Sequence, residues 1–255
     1  MPIGICHAEP EPLTVGALTL SRAEIEGRLA SPPAERAAFI REAAEAGIAE
    51  AQAVYGQMLL DGHGLERDQR AAVHWFCRAA QQGHPMAINM IGRCYDLGWG
   101  VGVDKTRAAQ WYRVAADLGL DWAMYNLATL MALGQGVPED RPGALALFHR
   151  AAELTGNAKA LNFIGSFHED GWAVPRDLAE AARYYARAAE GGDFRGMFNH
   201  ARMLLATGRR LEAAAWIARA APLATPAFRA KAAGWLARNG EQALAAPLEY
   251  EIDSH

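Results

Sequence analysis

Apolar and polar positions along the chain repeat with a helical period inside a much longer one. In Pro85-Met-Ala-Ile-Asn-Met-Ile-Gly-Arg-Cys-Tyr-Asp-Leu97, Ala87, Ile91 and Tyr95 fall four apart and trace one apolar stripe of a helix. Gly98-Trp-Gly-Val-Gly-Val-Asp104 is too rich in glycine to continue it and ends on an aspartate suited to cap the next helix. A second helix is predicted from Lys105 to about Leu118, carrying Ala108, Trp111, Tyr112, Ala115 and Ala116 and ending at Gly119. We call the two helices of such a unit A and B.

The unit recurs about every 36 residues, four times clearly and a fifth time altered. The A helix has a crowded position at Gly56, Gly92, Ala128 and Gly165, and loop glycines follow at Gly62, Gly98, Gly134 and Gly171. Caps are expected at Asp68, Asp104, Asp140 and Asp177. Each B helix shows a bulky pair (Trp75-Phe76, Trp111-Tyr112, Leu147-Phe148, Tyr184-Tyr185), then two alanines, then a glycine. One residue is inserted near Thr155–Gly156. No unit can bury its stripe alone, whereas small A-helix residues facing B-helix aromatics let successive hairpins stack. The expected fold is therefore all-α, a right-handed α/α superhelix of helical hairpins whose concave side is lined by the A helices.

These residues resemble the Sel1-like repeat, a relative of the tetratricopeptide repeat with a longer loop inside the hairpin. The resemblance covers roughly residues 51–221 and implies a non-enzymatic adaptor or scaffold that holds a partner protein or peptide, often in bacterial signalling, envelope or stress-response assemblies. A cysteine-rich branch has been associated with β-lactam binding or hydrolysis, but its paired cysteines have no counterpart in Cys6, Cys77 and Cys94. Those three read as reduced thiols. A small-molecule protein of that kind, or a self-assembling structural protein, is the alternative.

The expected organisation is an extended lead-in (1–20), capping helices (21–50) opened by the capping box Ser21-Arg-Ala-Glu24, and four repeats (51–193). A degenerate fifth repeat (194–222), a C-terminal capping helix (223–239) and an acidic tail (240–255) follow. Twenty-five basic against 29 acidic residues argue against a general nucleic-acid binder. The N-terminal stretch lacks a secretory pattern and no segment has the apolar length of a membrane span, so a cytoplasmic protein is expected.

Positions three before and one after the crowded residue should face the groove. With their neighbours they select Gln57, Asn89, Arg93, Trp122, Tyr125, Asn126, Thr129, Asn162, Ser166, Asn199 and Arg202 as partner-binding candidates. Trp99 and Trp172 are candidate loop anchors, tucked against their own hairpins or facing a partner. From Phe194 to Asn239, the residues Arg195, Arg202, Arg209, Arg210, Arg219, Arg229, Lys231 and Arg238 face Glu212 alone. This basic patch, with Arg195, Arg209, Arg210 and Arg219 as its leading members, calls for cover by the acidic tail or by an acidic partner, or is simply solvated. No catalytic residues, metal ligands or cofactors are expected. His168-Glu169-Asp170 diverge around a helix, and Gly98-Trp-Gly-Val-Gly lacks the strand and lysine of a phosphate loop.

Overall fold

A computed structural model describes residues 22–249. The extended lead-in, Ser21 of the capping box, Cys6 and the last acidic residues, Glu251 and Asp253, lie outside the described residues. The described residues form helices and connecting turns, and the chain divides into two compact units, Met1–Glu139 and Asp140–His255.

The first unit contains α1 (Arg22–Leu29), α2 (Pro33–Glu45), α3 (Ala49–Asp61), α4 (Gln69–Gln81), α5 (Pro85–Leu97), α6 (Lys105–Asp117) and α7 (Asp121–Leu133). Each helix packs on its neighbours in the chain: α3 on α4 and α5 on α6 within hairpins, α4 on α5 and α6 on α7 between them. The crowded positions explain the approach within a hairpin. A Cβ on Gly92 would lie 2.6 Å from the Tyr112 ring, and one on Gly56 2.8 Å from Phe76. Only hydrogen at these sites lets the buried ring of the B helix lie against the A helix, and each such ring contributes about 1.5–3 kcal/mol. The half-repeat α2 ends on the same alanine pair as the B helices. Buried Gln52 binds it to the rest by donating to the Ala44 carbonyl at 3.1 Å while accepting from Gln82 at 2.9 Å.

The second unit contains α8 (Arg141–Thr155), α9 (Ala158–Asp170), α10 (Leu178–Glu190), α11 (Phe194–Ala206), α12 (Arg210–Ala220), α13 (Pro226–Arg238) and α14 (Ala246–Glu249). The inserted residue is absorbed by α8, which extends to Thr155 and ends on left-handed Gly156. A Cβ on Gly165 would meet the Tyr185 ring at 2.7 Å. In the fifth hairpin, α11 and α12 are joined by the short turn Thr207-Gly208-Arg209 in place of the glycine-rich loop.

Capping follows the sequence closely. Asp68, Asp104, Asp140 and Asp177 accept from Ala71, Arg107, Gly143 and both Ala179 and Glu180. Gly62, Gly98, Gly134 and Gly171 end the A helices in the left-handed conformation.

Within the acidic tail, residues 242–249 form a short 3-10 turn and α14, with Ala245 and Leu248 buried in a core cluster that includes Ile217 and Leu236. Apolar area buried at those two positions offsets the cost of ordering this short, mostly uncharged segment.

Candidate functional site

On the A-helix face of the first unit, an asparagine pair joins successive hairpins. Asn126 of α7 donates to Asn89 of α5 at 2.9 Å. Asn89 is buried, so its amide serves the stack. Around this link lie Met86, Arg93, Trp122, Tyr125 and Thr129. Met86 and Trp122 are 39% and 41% exposed, and Trp122 meets the half-buried Tyr125 ring edge-on. Arg93 lies over the ring of Trp99, 4.8 Å away. Thr129 donates back to the Tyr125 carbonyl at 2.9 Å, and Gln57, in the preceding hairpin, bonds its own helix at Asp61.

The second unit repeats the device. Asn199 of α11 donates to buried Asn162 of α9 at 2.8 Å. Arg202 anchors the network: its Nε donates to Asn199, and its terminal nitrogens donate to both oxygens of Glu169 at 3.1 and 2.8 Å. Tyr185 also donates to Glu169, at 2.6 Å, and to Ser166. Burial pushes the Glu169 carboxyl up, but the bonds from Arg202 and Tyr185 outweigh it and hold the carboxyl below its usual range. Burial first, and then the same carboxylate, raises the Tyr185 hydroxyl.

The Tyr–carboxylate pair has a counterpart in the first unit, where Tyr112 donates to Asp96 at 3.1 Å and Lys105 pairs with the same carboxylate. Burial first, and then Asp96, raises the Tyr112 hydroxyl. These pairs are not among the sequence-derived site residues, yet a signal exists. Where the second bulky residue of the B helix is Tyr, the position two before the loop glycine is acidic; where it is Phe76 or Phe148, that position is Leu60 or Ala132.

Arg202 lies over Trp235 of α13 at 5.6 Å, and the two border a cleft of about 380 Å3. Its other lining residues are Glu169, Arg176, Leu178, Met203, Leu205, Ala206, Asn239 and Glu241. None of these is among the sequence-derived groove candidates; they lie on different hairpins or on the C-terminal segment, and no periodic rule relates them.

The loop tryptophans are half-buried against neighbouring side chains. Besides the Arg93–Trp99 contact, Trp172 takes Arg141 on its face at 4.4 Å and Phe167 edge-on. The basic patch is partly neutralised within the fold: Arg209 pairs with Glu212, and Arg210 with Glu241. Arg195 lies over Phe194 and Phe228, and Arg219 over Trp216 at 4.1 Å. Both remain exposed.

Chemistry of other kinds finds few tools. Burial pushes the Cys94 thiol up to about 12, far from a reactive thiolate. Burial lowers His149 and His200, which rest against Tyr184 and Trp216. Among the described residues no group of three His, Cys, Asp or Glu side chains is placed to hold a metal ion, and no helix is long and apolar enough to cross a membrane.

The sequence model of the Sel1 repeat matches residues 49–84, 85–120, 123–155 and 158–193, more than half of the chain. Among solved structures, a Sel1 repeat protein from Oxalobacter formigenes is 27% identical, with a TM-score of 0.67 over 83% of this chain and 92% of that one. The protein c5321, a protective antigen of uropathogenic Escherichia coli strains with an SLR fold, is 29% identical, with a TM-score of 0.62. That match covers 84% of this chain and 49% of c5321, so the chain corresponds to about half of it. The immunity protein Pa5087 from Pseudomonas aeruginosa, 20% identical with a TM-score of 0.54 over 78% of this chain and 75% of that one, shares the fold. No curated protein matches the sequence. Sel1 repeats commonly build protein-interaction scaffolds and generally lack catalysis of their own. With four matched repeats and the stacked hairpins they encode, the chain belongs to the Sel1 repeat family.

Proposed function

We propose that the protein is a non-enzymatic adaptor that holds a partner protein or peptide on the A-helix face of its first unit. The observation that carries this reading is the exposure of Met86 and Trp122 on successive A helices, 39% and 41%. They share a position that holds Glu50, Lys159 and Arg195 in the other repeats, so apolar character there is not a demand of the repeat. Exposed Met and Trp beside a half-buried Tyr125 and the Arg93 guanidinium form the residue mixture that dominates protein interfaces. The Asn89–Asn126 bond holds α5 and α7 in register beneath them, so the face is organised before a partner arrives. In this reading Asn89 and Asn162 act through the stack, while Trp122, Tyr125, Arg93 and Thr129 touch the partner.

The test is affinity capture from a lysate of the source organism with the wild-type chain and with a Met86→Ser/Trp122→Ala double variant. Both substituted side chains are exposed, so the variant should keep the wild-type circular dichroism. A protein captured by the wild type and lost by the variant supports the reading; one captured equally by both refutes it.

A further inference from the structure

We propose that the cleft of the second unit is a separate receptor for an acidic partner segment, one in which a carboxylate side chain lies next to an apolar one. The proposal rests on the adaptor reading only in taking a polypeptide as the ligand. At about 380 Å3 the cleft has room for a pair of side chains rather than a folded surface.

Charge bookkeeping sets the sign of the ligand. Four ionised side chains line the cleft: Glu169, Glu241, Arg176 and Arg202. The fold neutralises both carboxylates, Glu169 through its two bonds from Arg202 and Glu241 through Arg210. Arg176 is the charge in excess. Its Nε donates to the Glu169 main-chain carbonyl at 2.9 Å, which fixes the side chain at the rim and leaves both terminal nitrogens as uncommitted donors on an exposed residue. Those two nitrogens form an end-on fork that can donate to both oxygens of a carboxylate. Beside it, Trp235, Met203 and Leu205 supply an apolar wall for the neighbouring side chain.

A basic segment would meet Arg176 and find both carboxylates already engaged. An acidic one completes the unpaired fork, and the excess of basic residues between Phe194 and Asn239 favours its approach.

The test uses the full chain and two dye-labelled, acetylated and amidated hexapeptides, one alternating leucine with glutamate and the other leucine with glutamine, read by fluorescence anisotropy. The glutamate peptide should bind at least about tenfold more tightly, roughly the effect of one charge-assisted pair. That preference should vanish in Arg176→Glu and persist in Trp122→Ala. Equal binding of the two peptides, no saturation by the glutamate peptide at millimolar protein, or unchanged preference in Arg176→Glu overturns the proposal. Loss of binding in Trp122→Ala alone would place the peptide on the first unit, overturning the cleft while leaving the adaptor reading intact. A gain in affinity in Glu251→Gln/Asp253→Asn would make the chain's own acidic end the occupant and overturn the partner.

Discussion

Replacing both Asp96 by Leu and Tyr112 by Phe should cost less stability than the two single changes together. The Tyr112 side chain is almost fully buried, and its hydroxyl donates to Asp96 at 3.1 Å. Asp96→Leu strands that hydroxyl away from water, at a cost of about 1–3 kcal/mol. Lys105 loses its partner too, but it is 35% exposed and can turn to solvent, so this adds little. Tyr112→Phe removes a bond to a charged acceptor that keeps Lys105, which costs on the order of 1 kcal/mol. In the double variant no polar group is stranded, and the pair becomes the Leu and Phe combination that the first hairpin already uses at Leu60 and Phe76, both buried. The coupling should be about 1–2 kcal/mol, or several degrees in Tm at roughly 2–4 °C per kcal/mol. Urea unfolding of the four proteins of the cycle, followed by circular dichroism at constant m-value, measures it. Single effects that sum to the double effect within about 0.5 kcal/mol would refute the idea that carboxylate and hydroxyl are kept as a pair.

The second unit should lose stability in acid through Glu169. Its folded pKa is depressed, so its contribution is fully present above the unfolded carboxyl value and disappears as pH falls through the folded one; the urea-midpoint gap between wild type and Glu169→Gln should close on acidification, and a gap that widens would contradict the assignment. Gly100 has φ +69°, and a Cβ there would lie 2.3 Å from the Gln69 carbonyl oxygen, so Gly100→Ala should destabilise by about 3 kcal/mol or more. The equivalent position of the fourth repeat is Ala173 at φ +59°, and Ala173→Gly should be neutral or stabilising by up to ~1 kcal/mol; thermal unfolding of both checks the contrast. His84 caps α5 by accepting from the Ala87 N–H through Nδ1 while Nε2 contacts Glu50, so in denaturant unfolding His84→Ala should cost about 1 kcal/mol and His84→Asp should recover most of it.

Much of the molecule is legible in the residue pattern because the repeat constrains local structure several times over. Each cap, loop glycine and crowded position answers to a backbone demand that recurs with the period, and repetition separates that demand from chance. The candidate surfaces were legible in part. Asn89 and Asn162 stand out in the sequence as polar residues on a groove-facing position, yet in the structure each is buried and bonded to an asparagine of the next hairpin. The cleft of the second unit was not legible: Arg176, Arg202, Trp235 and Glu241 belong to different repeats or to none, and no periodic rule relates them.

By itself the sequence determined what depends on neighbours along the chain: helices and their ends, hairpins, and the pairing of small with large residues that makes the hairpins stack. These are short-range consequences of backbone geometry, helix capping and side-chain volume. Only the tertiary structure decided which polar side chains are consumed inside the stack and which keep hydrogen-bonding capacity at the surface. That outcome depends on distances between residues some 30 or more positions apart, such as Glu169 and Arg202, and on the burial that makes an unpaired group costly.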